Sequence, residues 1–80
     1  MRFREITTFV DLQIALESWN KVELYMPNSA GEYVGEVIGT CYHSGEPAAN
    51  VRKVDGTTSV FNFNGSNSLN PDTRTFYEVF

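Results

Sequence analysis

The chain is short of the residues that staple, charge or catalyse in most small proteins. Cys41 is the single cysteine in 80 residues. It has no partner for an internal disulfide, whereas small secreted domains usually carry several bridges, so a reducing, cytoplasmic setting is expected. His43 is the single histidine, which excludes multi-histidine metal sites and leaves little material for triad chemistry. Lys and Arg number 6 against 10 Asp and Glu, for a net charge of -4. Few cations are therefore available to neutralise a phosphate backbone, and direct nucleic-acid binding is not expected. No apolar run approaches the roughly 18 residues of a membrane span, and none follows Arg2 and Arg4 as it would in a signal peptide. A chain of this length buries only about 60–65% of its unfolded surface, which fits one domain over residues 1–80 and no second core.

Aromatic residues make up for the missing staples. Six Phe, four Tyr and one Trp remove a large area per residue from water, enough to hold one small core. Charge is unevenly spread. Between Glu5 and Val51 lie seven acids (Glu5, Asp11, Glu17, Glu23, Glu32, Glu36, Glu46) and the lone base Lys21, a segment of -6, while the other bases flank it.

One helix is predicted over residues 9–19. Thr8 is its N-cap, Asp11 places a negative charge in the first turn, and Asn20 is the stop. Phe9, Leu12, Leu16 and Trp19 fall on one stripe with Ala15 at its edge, which predicts that this stripe faces the core. Val10 and Ile14 are neighbours on the opposite flank, beside Gln13 and Glu17.

The remainder reads as strand. Residues 1–6, 22–26, 33–42, 49–54, 57–63 and 73–80 carry β-branched and aromatic residues in alternation, separated by turn-rich segments at 27–31, 43–47 and 64–72. Asn64-Gly65-Ser66 reads as a turn rather than a glycosylation site, and Asp55-Gly56 predicts a two-residue hairpin loop. That loop sets Val51 opposite Val60 and Asn50 opposite Phe61, leaving apolar groups on both faces, a conflict that a bulge could relieve. Gly35 and Gly39 mark bends or close backbone approaches in the long strand. The expected class is α+β: one short N-terminal helix packed on a mostly antiparallel sheet, or on a small SH3-like partly closed barrel, of 4–6 strands.

Catalytic signals are thin. Cys41 and His43 share a strand face, but no third group orients them, so the reading is a small buried thiol and a solvent-facing imidazole, with no metal, cofactor or enzymatic role. Gly31, Gly35 and Gly39 recur every four residues without a following helix, which excludes a phosphate loop. By pattern, residues 22–80 resemble a small SH3-like or Tudor-like barrel. That resemblance implies an aromatic groove of Tyr33, Tyr42, Phe61 and Phe63, against the simpler expectation that these side chains fill the core.

Two features suit an interaction surface. The helix is apolar on a second flank, at Val10 and Ile14. In the first hairpin, pairing Met26 with Tyr33 brings Glu23 opposite Glu36, a like-charge pair that costs up to about 1 kcal/mol. A short, acidic, motif-poor chain resembles the accessory proteins of bacteriophages and mobile elements that bind and inhibit or redirect a host protein. The expected function is a noncatalytic protein-binding module whose contacts are Val10, Ile14, Glu17, Glu23, Tyr25, Glu32 and Glu36. Its partner would be a larger protein that is basic or itself binds nucleic acid. The alternative is a small-barrel reader of nucleic acid or peptide that uses exposed aromatics with Arg52, Lys53 and Arg74.

Overall fold

The computed structural model describes residues 2–25, 32–63 and 75–80. In chain order the elements are β1 (Phe3–Ile6), α1 (Phe9–Glu17), β2 (Lys21–Tyr25), β3 (Tyr33–His43), β4 (Glu46–Lys53), β5 (Thr58–Asn62) and β6 (Thr75–Val79). The strands form one six-stranded sheet in the order β1-β6-β2-β3-β4-β5, antiparallel at every junction. β1 and β5 are its edges, so the sheet is not closed. An α+β antiparallel sheet with one helix is the fold, and the SH3-like barrel is not formed. The expectations for Met26, for the loop over 27–31 and for residues 64–74, including Arg74, lie outside the described residues.

Turn chemistry sets the registers. Ser44 and Gly45 both have positive φ (54° and 77°), as a two-residue hairpin of the primed type requires, so β3 and β4 run to within one residue of the turn and the loop expected over 43–47 shrinks to this pair. The Asp55-Gly56 hairpin differs from its expected form by one residue. Lys53 N–H donates to Thr57 O at 2.8 Å and Gly56 (φ 89°) donates to Lys53 O at 2.9 Å, which makes a three-residue loop of Val54, Asp55 and Gly56. Asp55 Oδ1 accepts from the Thr57 N–H and hydroxyl at 2.9 and 2.6 Å, locking the turn, and these bonds hold its carboxyl below the usual carboxylate range. Val51 therefore faces Ser59, and Asn50 faces Val60. This slip removes the face conflict: Val51 and Phe61 turn toward the core, while Val60 turns away.

The long strand bends where its glycines predict. An extra residue interrupts the β3–β4 register between Val37 and Gly39. At Gly35 a Cβ would stand 2.2 Å from the Arg52 carbonyl oxygen, so only glycine permits β4 to approach this closely. A second irregularity, between Leu24 and Tyr25, sets Tyr25 opposite Tyr33 in place of the expected Met26, yet Glu23 still pairs with Glu36.

Thr8 caps α1 as expected, its hydroxyl accepting from Asp11 N–H at 3.1 Å. Leu12 and Ala15 are fully buried against Val22, Leu24, Val37, Val51 and Phe76, with Phe9 and Leu16 packed at the margin. Trp19 is the exception to the predicted stripe, at 94% exposure. The helix ends at Glu17. Ser18 caps it, Trp19 N–H bonds to Leu16 O and Asn20 N–H to Ala15 O, and Trp19 takes a left-handed φ of 61°. This is a Schellman termination with Trp in the position that favours glycine, and helical periodicity does not extend past it. The chain turns at Trp19 and not at Asn20.

Asn20 has another role. Its Nδ2 donates to Glu78 Oε2 at 2.5 Å, while Arg4 Nη2 donates to Glu78 Oε1 at 2.6 Å. Glu78 is 3% exposed, on the same sheet face as Phe76 and the helix. Its two oxygens tie β1 and the exit of α1 to β6, which satisfies a buried carboxylate that would otherwise cost several kcal/mol.

Replacement of Gly35 by Ala is expected to cost about 2–3 kcal/mol in denaturant unfolding, and Leu12→Ala about 2–5. Trp19→Gly leaves stability unchanged or raises it by up to about 1 kcal/mol, since it relieves the left-handed backbone and uncovers no core. A loss above about 1.5 kcal/mol for Trp19→Gly would contradict this termination.

Candidate protein-binding surface

Because α1 packs on one face of the sheet, the residues that alternate away from it share the other. Cross-strand registers arrange this outer face in rows. One row runs Glu5, Tyr77, Glu23, Glu36, Arg52 and Thr58 across all six strands. Beside it lie Tyr25 and Tyr33 on one side and Phe3, Val79 and Lys21 on the other. The aromatic rings meet edge to face in a chain. Phe3 and Tyr77 have centroids 6.2 Å apart, Tyr77 and Tyr25 5.6 Å, and Tyr25 and Tyr33 5.4 Å. Phe3, Tyr25 and Tyr77 line an apolar depression of about 340 Å³.

Electrostatics on this face favour a cation. Glu23 is largely covered by its neighbours: its side chain keeps 13% exposure, Lys21 Nζ is 3.9 Å from Oε2, and Tyr25 Oη donates to Oε1 at 3.3 Å. Glu36 stands directly opposite it. Burial, then the negative charge of Glu23, raise the phenols of Tyr25 and Tyr33 above their ordinary value, with the Tyr25–Glu23 hydrogen bond acting in the same direction. The arrangement supplies carboxylates and ring faces, the two kinds of group that receive Arg and Lys side chains.

The expected contact residues divide between two sides of the molecule. Glu23, Tyr25 and Glu36 come together on the outer face. Val10, Ile14 and Glu17 lie on the exposed flank of α1, where Val10 is 61% and Ile14 50% exposed. Near that flank, Gln13, Leu16, Glu17 and Trp19 border a cleft of about 350 Å³ against Gly39 and Thr40 of β3. Glu32 is exposed just ahead of β3. The set is thus not one site. The barrel's proposed groove also divides: Tyr33 belongs to the outer face, Phe61 and Phe63 pack against the core, and Tyr42 sits at its margin against Phe9, centroids 5.9 Å apart.

Phe3, Tyr77 and Glu5 were not among the expected contacts. Alternation alone pairs Tyr77 with Thr75 and Val79, but only the insertion of β6 between β1 and β2 makes Tyr77 the centre of the face. Cys41 and His43 do share a face, beside Ala48 and Glu46, and the Cys41 thiol donates to Asn50 Oδ1 at 3.7 Å. Among the described residues no three His, Cys, Asp or Glu side chains cluster at metal-ligand spacing, and no helix is long and apolar enough to cross a membrane. Compared with protein-family models, with curated proteins and with solved structures, the chain matches none.

The phenol shifts yield a pH prediction. A phenol raised in the folded state stabilises the fold below the unfolded phenol value, and that contribution is lost as pH climbs through the raised one. Tyr25 and Tyr33 should therefore ionise above the ordinary phenol range, and stability should fall there. In Glu23→Gln both should ionise at lower pH, with Tyr25 still raised because burial is its first cause. Ring resonances followed by NMR through an alkaline titration test this; unmoved titrations in Glu23→Gln would contradict the coupling.

Proposed function

We propose that the chain is a noncatalytic, cytoplasmic protein-binding module that binds a larger protein and modulates it, receiving a cationic segment of that partner on its outer sheet face. The observation that carries this reading is the row Glu5, Tyr77, Glu23, Glu36, flanked by Phe3, Tyr25 and Tyr33 on a face the helix does not cover. A protein pays for opposed carboxylates such as Glu23 and Glu36 in stability, and a guanidinium or ammonium between them reverses the sign of that interaction. Tyrosine faces then receive the plane of the cation and pack against its apolar stem.

The alternative of a nucleic-acid reader is weaker on this arrangement. Arg52 lies in the row, but three carboxylates precede it, and Lys53 belongs to the opposite face beside Gly35. A phosphate backbone would meet net negative charge there. Inhibition of a basic or nucleic-acid-binding host protein, in the manner of phage accessory proteins, is the version of the module that best fits an acidic face of this size.

Parallel capture from the source cell with the wild-type chain, with Glu23→Lys/Glu36→Lys and with Val10→Asp/Ile14→Asp identifies the partner by its loss from the first double variant alone. The on-rate for that protein should fall about 10–100-fold on charge reversal at low salt, with the gap closing as salt rises, while the fold persists. Equal on-rates at low salt would remove the outer face from the account.

A further inference from the structure

The two edges of the sheet are not equivalent. β1 is short and carries Arg4 and Glu5, charges that discourage strand addition. β5 reads Thr-Ser-Val-Phe-Asn, with no charge, no proline and no interruption of its register with β4. Hydrogen bonding at its two ends fixes which backbone groups face outward. Lys53 N–H bonds to Thr57 O, and Phe63 N–H bonds to Pro47 O, so the alternate residues Thr57, Ser59, Phe61 and Phe63 address β4. Thr58, Val60 and Asn62 consequently turn their N–H and C=O groups to the open edge. Among the described residues no element pairs with them.

From this edge we infer that two copies of the chain associate by pairing β5 with β5 antiparallel about a two-fold axis at Val60. The pattern is self-complementary, as an isologous contact demands. With Val60 on the axis, every outward group meets an outward group: Val60 with Val60, and Thr58 with Asn62 in both directions. Ser59 of one copy then stands beside Phe61 of the other on the helix face, small against large. Val60, 45% exposed on the outer face, is the natural point of control because among the described residues no strand pairs with its N–H.

Sedimentation of the full chain across concentration, with amide exchange read by NMR, tests this directly. The wild type should pass from monomer to dimer, and the amides of Thr58, Val60 and Asn62 should gain protection with that step. Val60→Lys places like charges on the axis and should weaken association at least 10-fold. Val60→Pro removes only an outward donor and should do the same with an unchanged circular dichroism spectrum, since an edge strand tolerates proline there. Glu23→Lys/Glu36→Lys should dimerise as the wild type does, which separates this edge from the acidic face. A strictly monomeric wild type, whether those amides exchange freely or are covered within the chain, would overturn the inference. So would dimers that persist in both Val60 variants, or a dimer in which the three amides stay unprotected.

Discussion

A mismatch of size governs this molecule. A helix of nine residues is roughly 13 Å long at 1.5 Å per residue, whereas six strands at about 4.8 Å spacing span roughly 24 Å. One helix of that length covers the middle of one face and nothing else. The core is correspondingly narrow, centred on Leu12 and Ala15 over Val22, Leu24, Val37, Val51 and Phe76. Among the described residues no element packs over the opposite face. That face carries tyrosines packed edge to face together with carboxylates, the groups on which the proposed cation would dock.

Keeping so thin a layer in register depends on long-range ties. β6, near the C-terminus, lies between β1 and β2, and Glu78 within it binds Arg4 and Asn20 at sequence separations of 74 and 58 residues. The same insertion brings Tyr77 beside Glu23 and Phe3 on the other face. Structure and candidate surface thus share one strand, its alternate residues serving the core side and the outer side in turn.

Local chemistry was readable in the sequence; long-range arrangement was not. Thr8 as cap, the alternation in β2, the close approach at Gly35 and the opposition of Glu23 and Glu36 all follow from nearest-neighbour rules and are found. Trp19 departs from the predicted stripe because a periodic stripe does not announce where its helix ends, and a left-handed tryptophan at that position defies the usual preference for glycine. The Asp-Gly loop was one residue too short because Gly56 serves a three-residue turn as readily as a two-residue one. Glu78 left no local sign of burial, since its partners come from elements that sequence spacing cannot bring together. For the same reason sequence spacing does not separate the expected contact residues, although the helix flank and the outer face lie on opposite sides.

The claim on which the functional account rests is that cations dock on the outer sheet face. An oligo-arginine peptide titrated at low ionic strength against the labelled chain, with side-chain and ring resonances recorded by NMR, tests it most directly. The account predicts saturable shifts centred on Glu23, Glu36, Tyr25, Tyr33, Tyr77 and Phe3, fading as salt is added. Shifts centred instead on Val10, Ile14 and Trp19, or spread evenly over every acid of the chain, would contradict it.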